Sequence, residues 1–214
     1  MKLLRHFWAL GPLSVLLLAP LLNGSTIDFT SAAAYAAATT SSFAVSFNDI
    51  LSPGTSFENF NPLVLSGTSF STPDAGTFVN VTTATFYAPN NYRADFIVNS
   101  TNSSSSNTLV ISLPSTYALA LDFGGLGFNG ASTATITLSN GHVFTAASLP
   151  TVGSTEFVGF VSTDALTSLT LVTTNDSWVV QDFTTSSPVP EPATLVMWVV
   201  GLVALPVLRR RPLR

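Results

Sequence analysis

The sequence predicts a mainly β chain folded as an antiparallel β-sandwich. Three observations carry that prediction. Short stretches alternate apolar and polar residues at a period of two, the mark of half-buried strands. Runs of Gly, Pro, Asn and Asp interrupt them at close intervals, as turns do. Between its two apolar ends, only one segment, rich in alanine, reads as a helix. Many short strands with regular turns belong to sandwiches, and the Thr and Ser enrichment suits their outward faces.

The helix falls at residues 30–38, where alanine favours it and Thr30 or Ser31 can cap it. Residues 42–47 then alternate, placing Phe43, Val45 and Phe47 on one face. Leu109, Ile111 and Leu113 form a second alternating set, and Leu119, Leu121 and Phe123 a third. Ala134, Ile136 and Leu138 lead into Asn140-Gly141, the strongest short hairpin signal, and residues 142–146 return. Strands over 156–162, 166–173 and 177–184 complete the set. Turns are expected at Ser52-Pro53-Gly54, at 59–62, at 73–76, at 89–91 and at Gly124-Gly125. The stretch NSTNSSSSN, Asn99 to Asn107, has nothing to bury and is expected as a mobile loop or hairpin tip.

Composition narrows the chemistry. A chain of 214 residues holds one domain with a real core plus targeting segments. The absence of cysteine excludes disulfides, thiolate metal sites and a cysteine nucleophile. The bases cluster at the two ends. Between residues 26 and 188 Arg93 is the single base against ten acids, a net charge of −9. Such a body has no electrostatic footprint for nucleic acid and suits divalent cations or a neutral polar partner.

The ends read as addresses. Lys2 and Arg5 precede the apolar run from Phe7 to Leu22, and Asn23, Gly24 and Ser25 supply small residues for cleavage. That is a secretory signal peptide over residues 1–25, helical while it lasts, cut after Gly24 or Ser25. A retained N-terminal anchor is the alternative. At the other end residues 193–208 make 16 positions without a charge. As a transmembrane helix they span about 24 Å at 1.5 Å per residue, short of a ~30 Å hydrocarbon core. Mild thinning, or snorkelling by the adjacent arginines, accommodates the difference. Arg209, Arg210 and Arg211 follow at once as a stop-transfer cluster, so residues 209–214 stay in the cytoplasm and the body lies outside.

Pro190-Glu191-Pro192, then an apolar helix, then terminal arginines, together resemble the PEP-CTERM sorting signal of Gram-negative bacteria. The resemblance covers about the last 26 residues. It implies export through the Sec translocon, temporary residence in the inner membrane, and cleavage near Pro190, Glu191 and Pro192 by an exosortase. Delivery to the cell surface or extracellular matrix would follow. The alternative is a plain anchor preceded by an accidental Pro-Glu-Pro.

The body, residues 26–185, is similar to the jelly-roll-like ectodomains of PEP-CTERM proteins. The matching pieces are the Ala-rich helix with SFAVSFNDILSPGTSFENF, then ALALDFGGLGF, then FVGFVSTDALTSLTLVTTNDSWVVQDFT. Residues 186–192 are then a linker carrying the sorting motif. Jelly rolls of this kind tie first and last strands with a structural Ca²⁺, which here would fall to Asn48, Asp49 and Asp182. Gln181 stands where the similar ectodomains carry a first acid, which weakens the site, and the alternative has Asp49 and Asp182 facing water.

Catalytic constellations are missing from the sequence. His142 is the one histidine of the body and follows directly on the Asn140-Gly141 turn, a place for an exposed, inert imidazole. No nucleophile elbow, zinc-protease helix or phosphate loop appears. For a sugar platform Tyr87 and Tyr92, flanking Ala88-Pro89-Asn90-Asn91, are the candidates, Tyr117 is another, and Trp178 in SWVVQDF reads as core. The expectation is a non-enzymatic surface or matrix protein with exopolysaccharide as partner. The alternatives are a secreted glycan-acting hydrolase and a protein-binding adhesin.

Overall fold

The computed structural model describes residues 25–83, 95–99, 106–127, 132–150 and 153–189. Among them the chain forms β1 (Thr26–Phe29), α1 (Ala32–Ala38), β2 (Thr39–Val45), β3 (Phe57–Phe60), β4 (Leu63–Leu65), β5 (Thr68–Ser71) and β6 (Val79–Thr82). There follow β7 (Phe96–Asn99), β8 (Asn107–Gly125), β9 (Thr133–Leu138), β10 (Val143–Ala146), β11 (Glu156–Thr174) and β12 (Trp178–Pro188). Every pairing among these strands is antiparallel.

Two strands are too long for one layer. β8 and β11 each run 19 residues, against the five or six of an ordinary strand. Both bend midway and serve two layers. In β11 the register against β8 slips between Val161 and Leu166 and again before Ser168. The facing stretch of β8 carries Pro114, which has no N–H to give a ladder, with Ser115 and Tyr117 turned to solvent. Before the bend in β11 and after the bend in β8, the strands build the first layer, in the order β1, β11, β8, β12. On the far side of β12, β2 and β7 pair one after the other, and β6 and β3 follow β7. The other halves build the second layer, β10, β9, β11, β8, β5, β4.

Alternation decides which side chains meet between the layers. Leu119, Leu121 and Phe123 of the first layer join Leu109, Ile111, Ile136 and Leu171 of the second in one buried cluster. Phe70 of β5 meets Phe183 of β12 edge-on at 5.7 Å and Phe47 at 5.4 Å. Phe144 of β10 meets Phe160 of β11 at 6.1 Å. Such pairs contribute about 0.5–1.5 kcal/mol each beyond the area they bury. Trp178 is fully buried, as the apolar strand around it requires.

The outward face of the first layer carries a smaller cluster. Ala118 and Ala120, one residue out of phase with the core leucines, lie under Tyr35 of α1. The helix starts as its sequence requires, with Ser31 extended at the N-cap and its Oγ accepting from Ala34 N at 3.4 Å.

Several expectations are corrected. Residues 109–113 and 119–123 belong to the single strand β8, and 156–162 and 166–173 to the single strand β11, because each strand bends from layer to layer. Gly124-Gly125 is no turn but the end of β8. A Cβ on Gly124 would fall 2.7 Å from Ser154 O, so glycine serves close approach there. Asn59 and Phe60 belong to β3. Phe43 is 52% exposed and leaves the face it was expected to share with buried Val45 and Phe47. It sits on an edge strand, since β2 pairs only with β12 among the described residues, and alternation at an edge does not guarantee burial. The linker expected from residue 186 is strand as far as Pro188, and Val189 N still donates to Ala38 O at 2.9 Å. The Asn99–Asn107 stretch begins and ends in β7 and β8, where the two asparagines are buried and joined at 3.0 Å. Its middle, and the turn expected at 89–91, lie outside the described residues.

Candidate functional site

Where α1 passes into β2, the outward face of the first layer is hollowed into a half-open cavity of about 240 Å³. Tyr35, Ala36, Phe157 and Ala120 give it apolar surfaces, and Thr39, Thr40, Ser41, Ser42 and Thr184 line it with hydroxyls.

Its shape follows from local sequence. Gly159 of β11 lets the Tyr35 ring lie against the sheet, since a Cβ there would stand 2.8 Å from Tyr35 Cγ and 3.0 Å from Cε2. Phe29 at 6.0 Å and Phe157 at 5.8 Å hold the ring from the sides. The helix stops at Thr39, which takes extended geometry and returns its Oγ1 proton to Tyr35 O at 2.9 Å. The β2–β12 ladder then skips. Thr185 pairs with Phe43 and Ser187 with Thr40, so Ser41 and Ser42 together oppose Ser186. That is a β-bulge, with Ser41 at φ +52°, a left-handed conformation costing a non-glycine residue of order 1–2 kcal/mol.

The hydroxyls of Tyr35 and Ser186 are neighbours closed off from solvent. Tyr35 Oη and Ser186 Oγ are both buried and neither completes a hydrogen bond. Burial holds the Tyr35 phenol above the ordinary tyrosine range. The neighbouring Ser186 hydroxyl draws it partly back, though the two do not reach hydrogen-bond geometry.

Four of the acids are occupied in holding the fold. Asp176 is fully buried between β11 and β12. Its Oδ2 accepts from Gly127 N at 2.7 Å and its Oδ1 from Ser177 N at 2.8 Å. Its carbonyl takes Asn107 Nδ2 at 2.8 Å and Thr173 Oγ1 at 2.7 Å. Asp74 Oδ2 accepts from Thr108 N at 2.9 Å, and Glu58 Oε1 from Ser52 N at 2.9 Å. His142 is not the inert surface imidazole expected after a turn. Its Nε2 lies 2.6 Å from Asp28 Oδ1, tying the β9–β10 hairpin to β1. The turn itself is not of the primed type. Gly141 N donates to Leu138 O at 2.9 Å, so Ser139 and Asn140 are the central residues and neither has positive φ, which Gly141 takes at the position after them.

The residues expected to hold calcium are placed as follows. Asn48 Oδ1 accepts from Asp95 N at 3.3 Å, Asp49 takes φ +63°, and Asp182 is exposed on β12, opposite Asp122 of β8. No hydrogen bond joins Asn48 or Asp49 to Asp182, and among the described residues no three His, Cys, Asp or Glu side chains gather as a metal site would need. Tyr117 is 48% exposed at the bend of β8. Tyr87, Tyr92, Pro190, Glu191, Pro192 and Arg209, Arg210 and Arg211 lie outside the described residues, as do the signal and apolar C-terminal segments. Among the described residues no helix is long and apolar enough to cross a membrane.

No protein-family model and no curated protein matches the chain. Among solved structures, it is similar to the CBM22-1 xylan-binding domain of Xyn10C from Paenibacillus barcinonensis. The two are 14% identical with a TM-score of 0.38, over 69% of this chain and 95% of that one. It is also similar to TmCBM61 in complex with β-1,4-galactotriose, at 10% identity and TM-score 0.31, over 57% of this chain and 90% of that one. A family two carbohydrate esterase from Cellvibrio japonicus is 9% identical with TM-score 0.32, over 70% of this chain but 36% of the esterase. At such identities and TM-scores, none of these likenesses bears on what this chain does.

Proposed function

We propose that this is an exported, non-enzymatic protein of the cell surface or extracellular matrix, sorted by an exosortase through Pro190-Glu191-Pro192 and binding exopolysaccharide. The supporting observation is where the domain's two ends emerge. Thr26 pairs with Ser162, Val161 with Ala118, Ala118 with Ser186, and Pro188 with Thr39. The chain therefore comes in beside β11 and goes out from β12 at the same pole of the first layer, where β8 and β11 bend. Three strand spacings separate them, about 14 Å. A leader at one end and an anchor at the other would both leave that pole toward the membrane and free the opposite pole. The net charge of the body favours a neutral polymer over an acidic one.

The test is intact mass and fractionation of the protein from its own host, with and without the exosortase. The expected mature form begins near Ser25 or Thr26, ends near Pro190 to Pro192, and disappears from the surface when the exosortase is deleted. A form that keeps Arg214 in the inner membrane regardless of the deletion would overturn the sorting reading. Turnover of the host polysaccharide by the purified protein would replace the non-enzymatic reading with a hydrolase.

A further inference from the structure

We infer that the pole where β8 and β11 bend is a surface for seating the domain on a lipid bilayer, with an apolar collar of Ile27, Phe43, Val64, Tyr117 and Val189 resting in the headgroup layer. The inference rests on the exported, anchored reading above and adds to it a surface and its partner.

Exposed apolar side chains crowd at this end of the molecule. Among the described residues eight large ones are exposed, and the collar accounts for five of them. Tyr117 stands in the bend itself. Ile27 pairs with Val161, and Val161 with Ala118. Phe43 pairs with Thr185, and Thr185 with Leu119. Val64, at 59% the most exposed of the eight, pairs with Ser69, and Ser69 with Ser112. Each of these rungs reaches β8 within two residues of the bend, Pro114 to Tyr117. Val189 follows the last rung of β12, where Pro188 meets Thr39. Single exposed apolar residues are ordinary, but a concentration at one pole marks a contact surface. Coming from β1, β2, β4, the bend of β8 and the end of β12, they surround the pole instead of forming one flat patch.

The length of chain beyond the domain decides what the collar meets. Residues 190–192 alone separate Val189 from the uncharged stretch that begins at Ala193. Fully extended, three residues span about 10 Å. Asn23 and Gly24 alone separate Ser25 from the apolar run that ends at Leu22. The headgroup layer beside a ~30 Å hydrocarbon core is about 5–8 Å deep. A domain tethered this closely has its bend pole against that layer, and tyrosine at that depth keeps its ring among the lipids and its hydroxyl in water. Charge agrees with the placement. Asp28 and Asp164 are the acids nearest the bend, and Asp28 is held by His142. Asp122, Asp182 and Glu156 pair farther up the ladders, Asp74 holds Thr108 N, and Asp176 closes the opposite pole. An anionic membrane face therefore meets little like charge. A collar around a pole also gives two copies no flat face to share, which favours the bilayer over self-association. Seated this way, the domain holds Pro190-Glu191-Pro192 at the membrane face, where a membrane protease works.

The chain has no cysteine, so a single one can be introduced as a label site. Phe43→Cys, Val64→Cys and Tyr117→Cys place it in the collar. Phe78→Cys is the control, since Phe78 precedes Val79, which pairs with Asn99 at the opposite pole. All four positions are exposed, so the fold tolerates the change. Each full-chain variant carries an environment-sensitive fluorophore and is reconstituted into vesicles of phosphatidylethanolamine and phosphatidylglycerol, with and without brominated lipid. The labels at 43, 64 and 117 should shift to the blue and lose fluorescence to the brominated lipid, while the label at 78 does neither. Vesicle-bound protein whose four labels all stay in water would refute the surface while leaving the anchor standing. Collar labels that leave water yet ignore brominated lipid, with Tyr117→Cys copies crosslinking to one another, would overturn the bilayer in favour of a second copy. Protein that a carbonate wash strips from the vesicles would overturn the surface and the anchored reading together.

Discussion

Gly159→Ala tests the packing that carves the cavity. The added Cβ would stand 2.8 Å from Tyr35 Cγ and 3.0 Å from Cε2, whereas carbon atoms rest at about 3.5–4.0 Å. The ring must retreat by roughly 1 Å, and Phe29, Phe157, Ala118 and Ala120 hold it in place, so α1 lifts with it. Overpacking of this kind costs about 1–3 kcal/mol. At about 2–4 °C per kcal/mol for a domain of this size, the melting temperature falls by several degrees. The decisive assay is a double-mutant cycle. In a Tyr35→Ala background, which by itself costs about 3 kcal/mol, the obstacle is gone. Gly159→Ala should then be neutral, or stabilising by up to about 1 kcal/mol through the unfolded chain. The interaction energy should therefore be about 1–3 kcal/mol. An equal loss in both backgrounds, or no loss in the wild type, would refute the account of Gly159 as the seat of the Tyr35 ring.

Other outcomes follow from single contacts. Asp176→Ala strips the acceptors from the Gly127 amide and the buried Ser177 amide and should cost about 2–4 kcal/mol in chemical denaturation, with Asp176→Asn recovering part of it. Ser31→Ala should lower stability by about 0.5 kcal/mol, the small end of the capping range, because its bond to Ala34 N is long at 3.4 Å. Tyr35 gives a pH dependence of definite sign. Its folded pKa lies above the unfolded value of 10.0, so the folded state holds the extra proton above that pH. The stability it contributes is whole below pH 10 and is lost as pH rises through the folded pKa, seen as a falling melting temperature that the Tyr35→Phe variant lacks.

Much of the core was legible because a half-buried strand writes its phase into the sequence. Leu109, Ile111, Leu119, Leu121, Ala134 and Ile136 alternate as expected and are buried. The cap at Ser31 and the Asn140-Gly141 hairpin were legible for the same local reason. What escaped is what depends on distant partners. β1, β4, β5, β6 and β7, at three or four residues each, are too short for a period to show. The continuity of β8 through Pro114 and of β11 through its bend is set by each strand's partners in the other half of the fold. Gly124 and Gly125 read as a turn because glycine looks alike whether it supplies a left-handed φ or makes room for a neighbour. Asp176 was one acid among ten, since only the folded chain shows which amides it caps. The cavity was illegible altogether. Its lining comes from α1, β2, β8, β11 and β12, and the one local hint was a lone tyrosine among the alanines of the helix.

The bends in β8 and β11 have a consequence for how the domain comes apart. In a sandwich whose layers own separate strands, one layer can fray while the other survives. Here any rupture that separates the layers must break β8 and β11 themselves, so each layer's ladder is held until the other's fails. Amide protons at Ile111, in the second layer, and at Leu121, in the first, should then exchange at one common rate set by whole-molecule opening. A protease should then meet both layers protected until the whole molecule opens.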